Sequence, residues 1–331
     1  MRRVLEDIKN KTFKSCYLFY GEEDYLKESY RDRLIKALFP EEDTMNLNRF
    51  GDDVKENQII DAADAMPFFA EKRMVVAENT GFFSKSTDLL SDYLKSVPET
   101  TVILFVEKNV DKRNACYKAV DKTGLAIEFN LPTQADLETW ILGKLKKEGK
   151  SITRTGLTEF IDRCGFSMES MDKELEKLIC YSLDKEGIDE RDVDAVCIPQ
   201  ITANIWKMVD AVAERNPRAA YQGYQKLLLS KENPLNILNL IERHFRLMLS
   251  AAELNARGYS QKQISSELGL QDFVVGNYLR QSKAFSRKII MEMLDKMADV
   301  EMAAKTGKLR DFSAVEIIIA EYSSRKVVDE K

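Results

Sequence analysis

Short runs of β-branched and aromatic residues alternate with helical stretches over the first 135 residues. Strands joined by stretches long enough for a crossover helix lie parallel in one sheet, with helices on its faces. The pattern therefore predicts a doubly wound α/β domain over residues 1–135. Its five predicted strands are Tyr17 to Tyr20, Asn46 to Phe50, Arg73 to Ala77, Thr101 to Val106 and Leu125 to Phe129.

Apolar residues recur at helical spacing from about residue 136 to the end of the chain. Residues 136–200 are predicted to form a small helical domain that ends at Pro199 and has Met168 and Met171 in its core. Residues 201–331 are predicted to form a bundle of five or more helices, with breaks at Asn216-Pro217 and Asn233-Pro234. Three domains are thus expected in the 331 residues.

The composition is typical of a globular protein and narrows the range of partners. Hydrophobic residues make up 44% of the chain and charged residues 32%, and no apolar run approaches the roughly 20 residues that span a bilayer. The start turns acidic before a signal-peptide core could form, so a cytoplasmic protein without a membrane partner is expected. Because the net charge is -5, any contact with nucleic acid must come from a local basic patch.

Histidine and cysteine usage excludes several common kinds of site. His244 is the only histidine, and it lies in an amphipathic helical stretch without a nucleophile or carboxylate constellation beside it, so we expect a structural role. The cysteines are odd in number and never spaced as Cys-x-x-Cys, which argues against a disulfide framework and a zinc site. They are predicted to be buried free thiols: Cys16, Cys116, Cys164, Cys180 and Cys197.

The turn after the first predicted strand stands where a P-loop would bind the phosphates of a nucleotide. Such a loop needs a glycine, four free positions, then Gly-Lys and Ser or Thr, because backbone amides and the lysine hold phosphate and the hydroxyl binds magnesium. In residues 21–28 only Gly21 and Lys27 fit this pattern. Leu26 replaces the second glycine, Glu28 replaces the hydroxyl, and the three carboxylates at 22–24 would repel a triphosphate.

The strand that would supply the magnesium-binding acids is also incomplete. It is followed by Glu107-Lys108 rather than by Asp-Glu, and Asp24 is expected to cap the helix after the turn. The sequence therefore predicts a nucleotide-binding fold that binds no ATP, with no cofactor, no metal and no catalytic residue. A magnesium-dependent nucleoside-triphosphate hydrolase is an alternative against which Leu26 and Glu28 argue.

Several segments spread over nearly the whole chain share their order and spacing with one known family. They are Tyr17 to Leu26, Met66 to Phe69, Arg73 to Ala77, Asp111 to Arg113, Glu174 to Leu178, Arg243 to Leu247, Gly258 to Gly269 and Lys305 to Lys308. Through these segments the chain resembles the delta subunits of bacterial DNA polymerase III clamp loaders.

The resemblance implies an AAA+-like (RecA-like) parallel-sheet domain with a degenerate P-loop, a small helical lid domain and a C-terminal helical collar. It implies a subunit that binds the sliding clamp (beta) and favours its open form, so that the clamp can be loaded on primed DNA during replication. The implied partners are the tau/gamma ATPase subunits, which bind ATP, and delta-prime, in a hetero-pentamer through which DNA is threaded.

Two adjacent aromatic residues follow a predicted helix, Glu56 to Ala65, which Pro67 is expected to end. From the residues alone, Phe68 and Phe69 could either seal the edge of the sheet or form an exposed apolar contact. The resemblance favours the contact, because the family's clamp-binding segment falls on Met66, Pro67, Phe68 and Phe69. Phe68 stands where the family commonly has a leucine.

A different class of function stays open from the residues alone. The stretch from Tyr259 to Arg280 fits a helix-turn-helix with its turn at Gly269, which would make the chain a DNA-binding regulator. A recognition helix from Gln271 to Arg280 would present Gln271, Asn277 and Arg280 to base edges, and Lys283 and Arg287 to phosphates. The alternative is a helical hairpin in which Gly269 merely permits the turn.

Overall fold

The structure is a computed structural model, and it describes residues 2–41, 45–85, 87–165, 167–198, 201–229 and 233–324. The chain divides into two compact units, Met1–Leu131 and Pro132–Lys331. The boundary predicted at Pro199 lies outside the described residues, and the division into three domains stays a prediction.

A five-stranded parallel sheet covered by helices forms the first unit. Its strands lie in the order β2-β3-β4-β1-β5, and each neighbouring pair is parallel. The elements in chain order are α1 (Arg2–Asn10), β1 (Cys16–Tyr20), α2 (Asp24–Leu38), β2 (Leu47–Phe50), α3 (Glu56–Asp64), β3 (Arg73–Glu78), α4 (Asp88–Tyr93), β4 (Thr101–Glu107), α5 (Ala115–Thr123) and β5 (Leu125–Glu128). The predicted doubly wound, AAA+-like sheet is confirmed, and each strand end lies within one residue of its prediction.

The central strands are buried on both faces, which explains their continuous apolar runs. In β1, Leu18 and Tyr20 face one core cluster, while Tyr17 and Phe19 face the other. This alternation follows from the two-residue period of a strand. Helix α1, which was not among the predicted elements, buries Val4 in the second cluster.

The first part of the second unit is mostly helical, with one small parallel strand pair. Met168 and Met171 are buried, as predicted. The prediction that this part contains only helices is wrong, because it also holds two paired strands. Each strand has two residues, which is too short to give a periodic signal in the sequence. The elements are α6 (Gln134–Lys147), β6 (Ser151–Ile152), α7 (Arg154–Cys164), α8 (Met168–Tyr181), β7 (Gly187–Ile188) and α9 (Glu190–Val196).

Seven described helices follow and share one hydrophobic core, which confirms the predicted helical bundle. The predicted break at Asn233-Pro234 is the start of the longest of them, where the Asn233 side chain accepts a hydrogen bond from the amide of Leu235. The helices are α10 (Ile201–Ala213), α11 (Pro217–Leu229), α12 (Pro234–Ala256), α13 (Gln261–Leu268), α14 (Asp272–Ser282), α15 (Arg287–Lys305) and α16 (Asp311–Ser324).

The cysteines lie in both units as free thiols. Four are buried, as predicted, but Cys180 is exposed, so the prediction is wrong for that residue. Cys180 lies near the end of α8, on the side of the helix away from its buried residues Leu175 and Leu178. In the part of the chain that the structure describes, no helix has the length and hydropathy required to cross a membrane.

Candidate functional site

The site residues predicted from the sequence lie in two places of the first unit: the degenerate loop (residues 21–28) after β1, and the apolar tip (residues 66–69) before β3. In the degenerate loop, Lys27 is only 3% exposed. Its Nζ donates hydrogen bonds to the backbone oxygens of Gly21 (2.7 Å) and Glu107 (3.2 Å), and pairs with the Asp24 carboxylate at 2.9 Å. The ammonium group that a phosphate loop would direct toward phosphate therefore binds the protein's own backbone.

Glu107, the carboxylate at the end of β4, is held in a similar way. Its side chain is buried and accepts hydrogen bonds from the amide and hydroxyl of Thr80 (2.9 and 2.6 Å) and from the amide of Gly81 (3.3 Å). Burial raises the pKa of the Glu107 carboxyl, while these bonds and the nearby Lys27 oppose the rise. The position that would face magnesium in an ATPase thus anchors the turn after β3.

Close packing fixes the backbone of the degenerate loop. Gly21 has a φ of +119°, and a Cβ on it would lie 2.4 Å from the backbone oxygen of Phe129. That oxygen accepts a hydrogen bond from the amide of Glu23 (3.0 Å). The loop therefore packs against the end of β5, and only glycine fits at its first position.

The prediction that Asp24 caps the following helix is wrong. The N-cap residue of α2 is Glu23, and Asp24 is the first residue of the helix. The carboxylate of Asp24 pairs with Lys27, three residues later, which is the spacing of neighbouring side chains on a helix. Glu23 is also enclosed by protein, and its burial raises the pKa of its carboxyl.

The apolar tip projects into solvent. Phe69 is 96% exposed, Met66 80% and Phe68 54%, and the two aromatic rings pack edge to face with their centroids 4.7 Å apart. Helix α3 ends at Asp64, with Ala65 as its C-cap, one residue before the predicted end. The geometry thus fits the exposed apolar contact rather than a seal on the sheet edge.

Two buried side chains connect the backbone of the apolar tip to the sheet. In the Asn46 side chain, Oδ1 accepts a hydrogen bond from the backbone amide of Phe68 (2.6 Å), and Nδ2 donates one to the backbone oxygen of Phe68 (2.9 Å). The guanidinium of Arg73 donates to the Met66 oxygen (3.4 Å) and to the Asn48 side chain (2.6 Å). This role of Asn46 and Arg73 was not predicted, because the sequence pattern makes each the first residue of a strand.

The helix pair proposed for DNA contact exists, but one of its reading residues is enclosed. Helices α13 and α14 meet at Gly269, which has a φ of +61°. Gln271 is buried, so its prediction as a base contact is wrong. Asn277 is half-buried, and Arg280 donates to the Asp210 carboxylate at 3.4 Å. These contacts favour a helical hairpin of the bundle.

His244 has the structural surroundings that the sequence predicts. It is buried in α12, its Nε2 lies 2.7 Å from Oε1 of Gln281, and the Gln281 amide donates to Asp210 at 2.8 Å. Burial lowers the pKa of His244 to about 4, so the ring is neutral at pH 7. Among the residues that the structure describes, no group of three His, Cys, Asp or Glu is placed to hold a metal ion.

Two family models match this chain, and both describe the delta subunit of DNA polymerase III. Residues 17–130 match the family described as "DNA polymerase III, delta subunit", and residues 202–322 match "DNA polymerase III delta subunit, C-terminal domain". Together the two matches cover more than two thirds of the chain.

Two curated relatives and one solved structure extend over nearly the full length. The DNA polymerase III subunit delta of Bacillus subtilis is 26% identical over 319 residues, or 92% of each chain. The probable DNA polymerase III subunit delta of Aquifex aeolicus is 20% identical over 316 residues, or 89% of each chain. The solved structure of the Bacillus subtilis DNA clamp loader delta protein has the same fold, with a TM-score of 0.85 at 24% identity, covering 98% of this chain and 99% of that one. The chain belongs to the DNA polymerase III delta subunit family.

Proposed function

We propose that this chain binds the sliding clamp (beta) through the apolar tip and favours the open form of the clamp, so that it can be loaded on primed DNA. The observation that carries the proposal is the exposure of Phe69 and Phe68 at 96% and 54%. The two aromatic rings pack against each other, and each leaves more than half of its residue's surface exposed to solvent. Such a patch is typical of a contact that a partner buries.

The size of the apolar tip suits a compact pocket on the clamp. The Phe68 and Phe69 rings already pack against each other, so they can enter a pocket as one body. Burying both side chains contributes on the order of 3–6 kcal/mol before the cost of ordering. That contribution is enough to make the apolar tip the main anchor of the contact.

We further propose that the chain is a non-catalytic subunit that does not hydrolyse ATP. Support comes from Lys27, whose ammonium group is buried against backbone oxygens, and from Glu107, whose carboxylate binds Thr80 and Gly81. ATP would then be bound by the tau/gamma subunits, with delta-prime completing a hetero-pentamer in the cytoplasm. Residues 136–200 would be the lid domain, and 201–331 the collar of that assembly.

The test is binding of the cognate clamp to the full chain and to the variant Phe68→Ala/Phe69→Ala, measured by surface plasmon resonance. The variant is expected to lose affinity by at least about 100-fold. Its melting temperature should change little, because both rings are largely exposed. Leu89→Ala is the matched control, since Leu89 is an exposed apolar residue of the same unit and is 53% exposed.

Clamp opening is measured separately, as the rate at which the clamp leaves circular DNA. The wild-type chain is expected to raise that rate, and the double variant is not. Wild-type clamp affinity in the double variant would contradict the proposal.

A further inference from the structure

We propose that Asn46 is a positioning residue for the apolar tip, whose buried amide fixes the backbone of Phe68 in the clamp-binding conformation before the clamp arrives. The inference rests on the proposed function of the apolar tip. Asn46 makes no contact with the clamp in this proposal, because it is 2% exposed and acts only through Phe68.

The Asn46 side chain forms two hydrogen bonds with the same residue. Its Oδ1 accepts from the Phe68 amide at 2.6 Å, and its Nδ2 donates to the Phe68 oxygen at 2.9 Å. Both polar backbone groups of Phe68 are thus bound by a side chain 22 positions earlier. Only a side chain with a donor and an acceptor can make both bonds, which aspartate and leucine cannot do.

The backbone of Asn46 is held by the sheet. The backbone oxygen of Asn46 accepts a hydrogen bond from the amide of Met74 (2.8 Å), and the next residue, Leu47, begins β2 and pairs with Met74 in β3. The position of Phe68 is therefore set by the sheet rather than by the flexibility of its own segment.

The backbone of Phe69 shows why such support is required. Its φ is +49°, in the left-handed region that a bulky residue rarely adopts. The hydrogen bonds at Phe68 and the Arg73 bond to the Met66 oxygen hold the residues that lead into Phe69. Without the Asn46 amide we expect Phe69 to relax to a negative φ, which redirects its ring.

The variant Asn46→Ala tests this inference. If it lowers the population of the binding-competent tip to about one tenth, the dissociation constant for the clamp rises roughly tenfold. The loss should appear in the association rate, with the dissociation rate nearly unchanged, because the bound tip makes the same contacts with the clamp. Because a general loss of structure would also lower the fraction of competent chains, the rates are compared at a temperature at which circular dichroism shows the variant to be folded.

Asn114→Ala is the matched control. Asn114 is also a buried asparagine of the first unit, and its side chain accepts from the Cys116 amide (2.8 Å) and donates to the Phe82 oxygen (3.1 Å). Its removal should lower stability by a similar amount and leave clamp association unchanged.

Amide hydrogen exchange of the free chain supplies a readout that does not depend on the clamp. Peptides containing Phe68 are expected to exchange faster in Asn46→Ala than in the wild type or in Asn114→Ala. Exchange at Phe68 that is unchanged in Asn46→Ala, or a wild-type rate of clamp association in that variant, would overturn the inference. The proposed function is tested separately, by Phe68→Ala/Phe69→Ala. If that double variant binds like the wild type, the proposed function is wrong even where the exchange result shows that Asn46 orders the tip.

Discussion

Replacement of Lys27 by methionine is expected to lower the stability of the first unit by about 2–4 kcal/mol. Methionine keeps most of the apolar stem, so the change removes mainly the ammonium group. The Gly21 and Glu107 oxygens each lose a charged donor, and such hydrogen bonds contribute about 1.5–3 kcal/mol apiece. Water recovers part of this loss at the partly buried Gly21 oxygen, and the pair with the exposed Asp24 adds at most about 1 kcal/mol.

The assay is thermal unfolding of the full chain, followed by far-UV circular dichroism and by tryptophan fluorescence. The melting temperature of the first unit should fall by roughly 10 °C. Trp140 and Trp206 both lie in the second unit, so a shift seen by circular dichroism and not by fluorescence assigns the loss to the first unit. Lys36→Met is the matched control, because Lys36 is exposed on the same helix and its replacement should change stability by less than about 0.5 kcal/mol.

A functional phosphate loop would give the opposite pattern. Its lysine binds nucleotide rather than the fold, so its replacement would remove stabilisation by Mg-ATP and leave the apo protein nearly unchanged. Nucleotide at 100 times its dissociation constant stabilises a protein by about 2.7 kcal/mol. Wild-type melting of Lys27→Met, or a rise in the wild-type melting temperature with millimolar Mg-ATP, would refute the role assigned to Lys27.

Two further predictions concern stability. Gly21→Ala should destabilise the protein by about 2–4 kcal/mol in thermal melts, since the new Cβ would lie 2.4 Å from the Phe129 oxygen. The control Gly81→Ala, at a φ of +74° in open space, should cost only about 1 kcal/mol, and equal melting temperatures of the two variants would contradict the prediction. The pKa of His244 is about 4 in the folded chain and 6.5 in the unfolded chain, so the unfolded chain takes up the proton first as the pH falls. The free energy of unfolding therefore decreases as the pH drops from 6.5 to 4, by about 2 kcal/mol at pH 5. Urea unfolding of the wild type and of His244→Gln at pH 7.5 and pH 5, followed by tryptophan fluorescence, should show that the wild type loses more stability between the two pH values; equal losses would exclude His244 as the cause.

The sheet was predictable because each buried strand appears in the sequence as a short run of mostly apolar residues. The strand β4 is buried along all seven residues; its interior, Val102 to Val106, is apolar, and its ends appear in the sequence as the polar residues Thr101 and Glu107. The degenerate loop was predictable for a similar reason, since its missing glycine and hydroxyl are local features of residues 21–28. What no local pattern shows is the direction in which Lys27 points, which depends on the Glu107 oxygen 80 positions later.

The support of the apolar tip could not be predicted from the sequence. Asn46 fits the pattern as the first residue of a predicted strand, and nothing near it in the sequence indicates a bond to Phe68. Whether Phe68 and Phe69 face solvent was also open, because adjacent aromatic residues before a strand fit a core as well as a contact. Their exposure depends on how the segment leaves α3 and enters β3, which is a property of the folded unit.

Parallel strands place the degenerate loop and the apolar tip at opposite edges of one sheet. Gly21 follows β1 and Glu107 ends β4, at the carboxyl edge, whereas Asn46 precedes β2 and Arg73 begins β3, at the amino edge. The seven residues of β4 separate the two edges by roughly 20 Å, and sites that far apart with no shared partner act additively. Lys27→Met should therefore lower stability without lowering clamp affinity at temperatures where it stays folded. A loss of affinity under those conditions would mean that the two edges are coupled through the sheet.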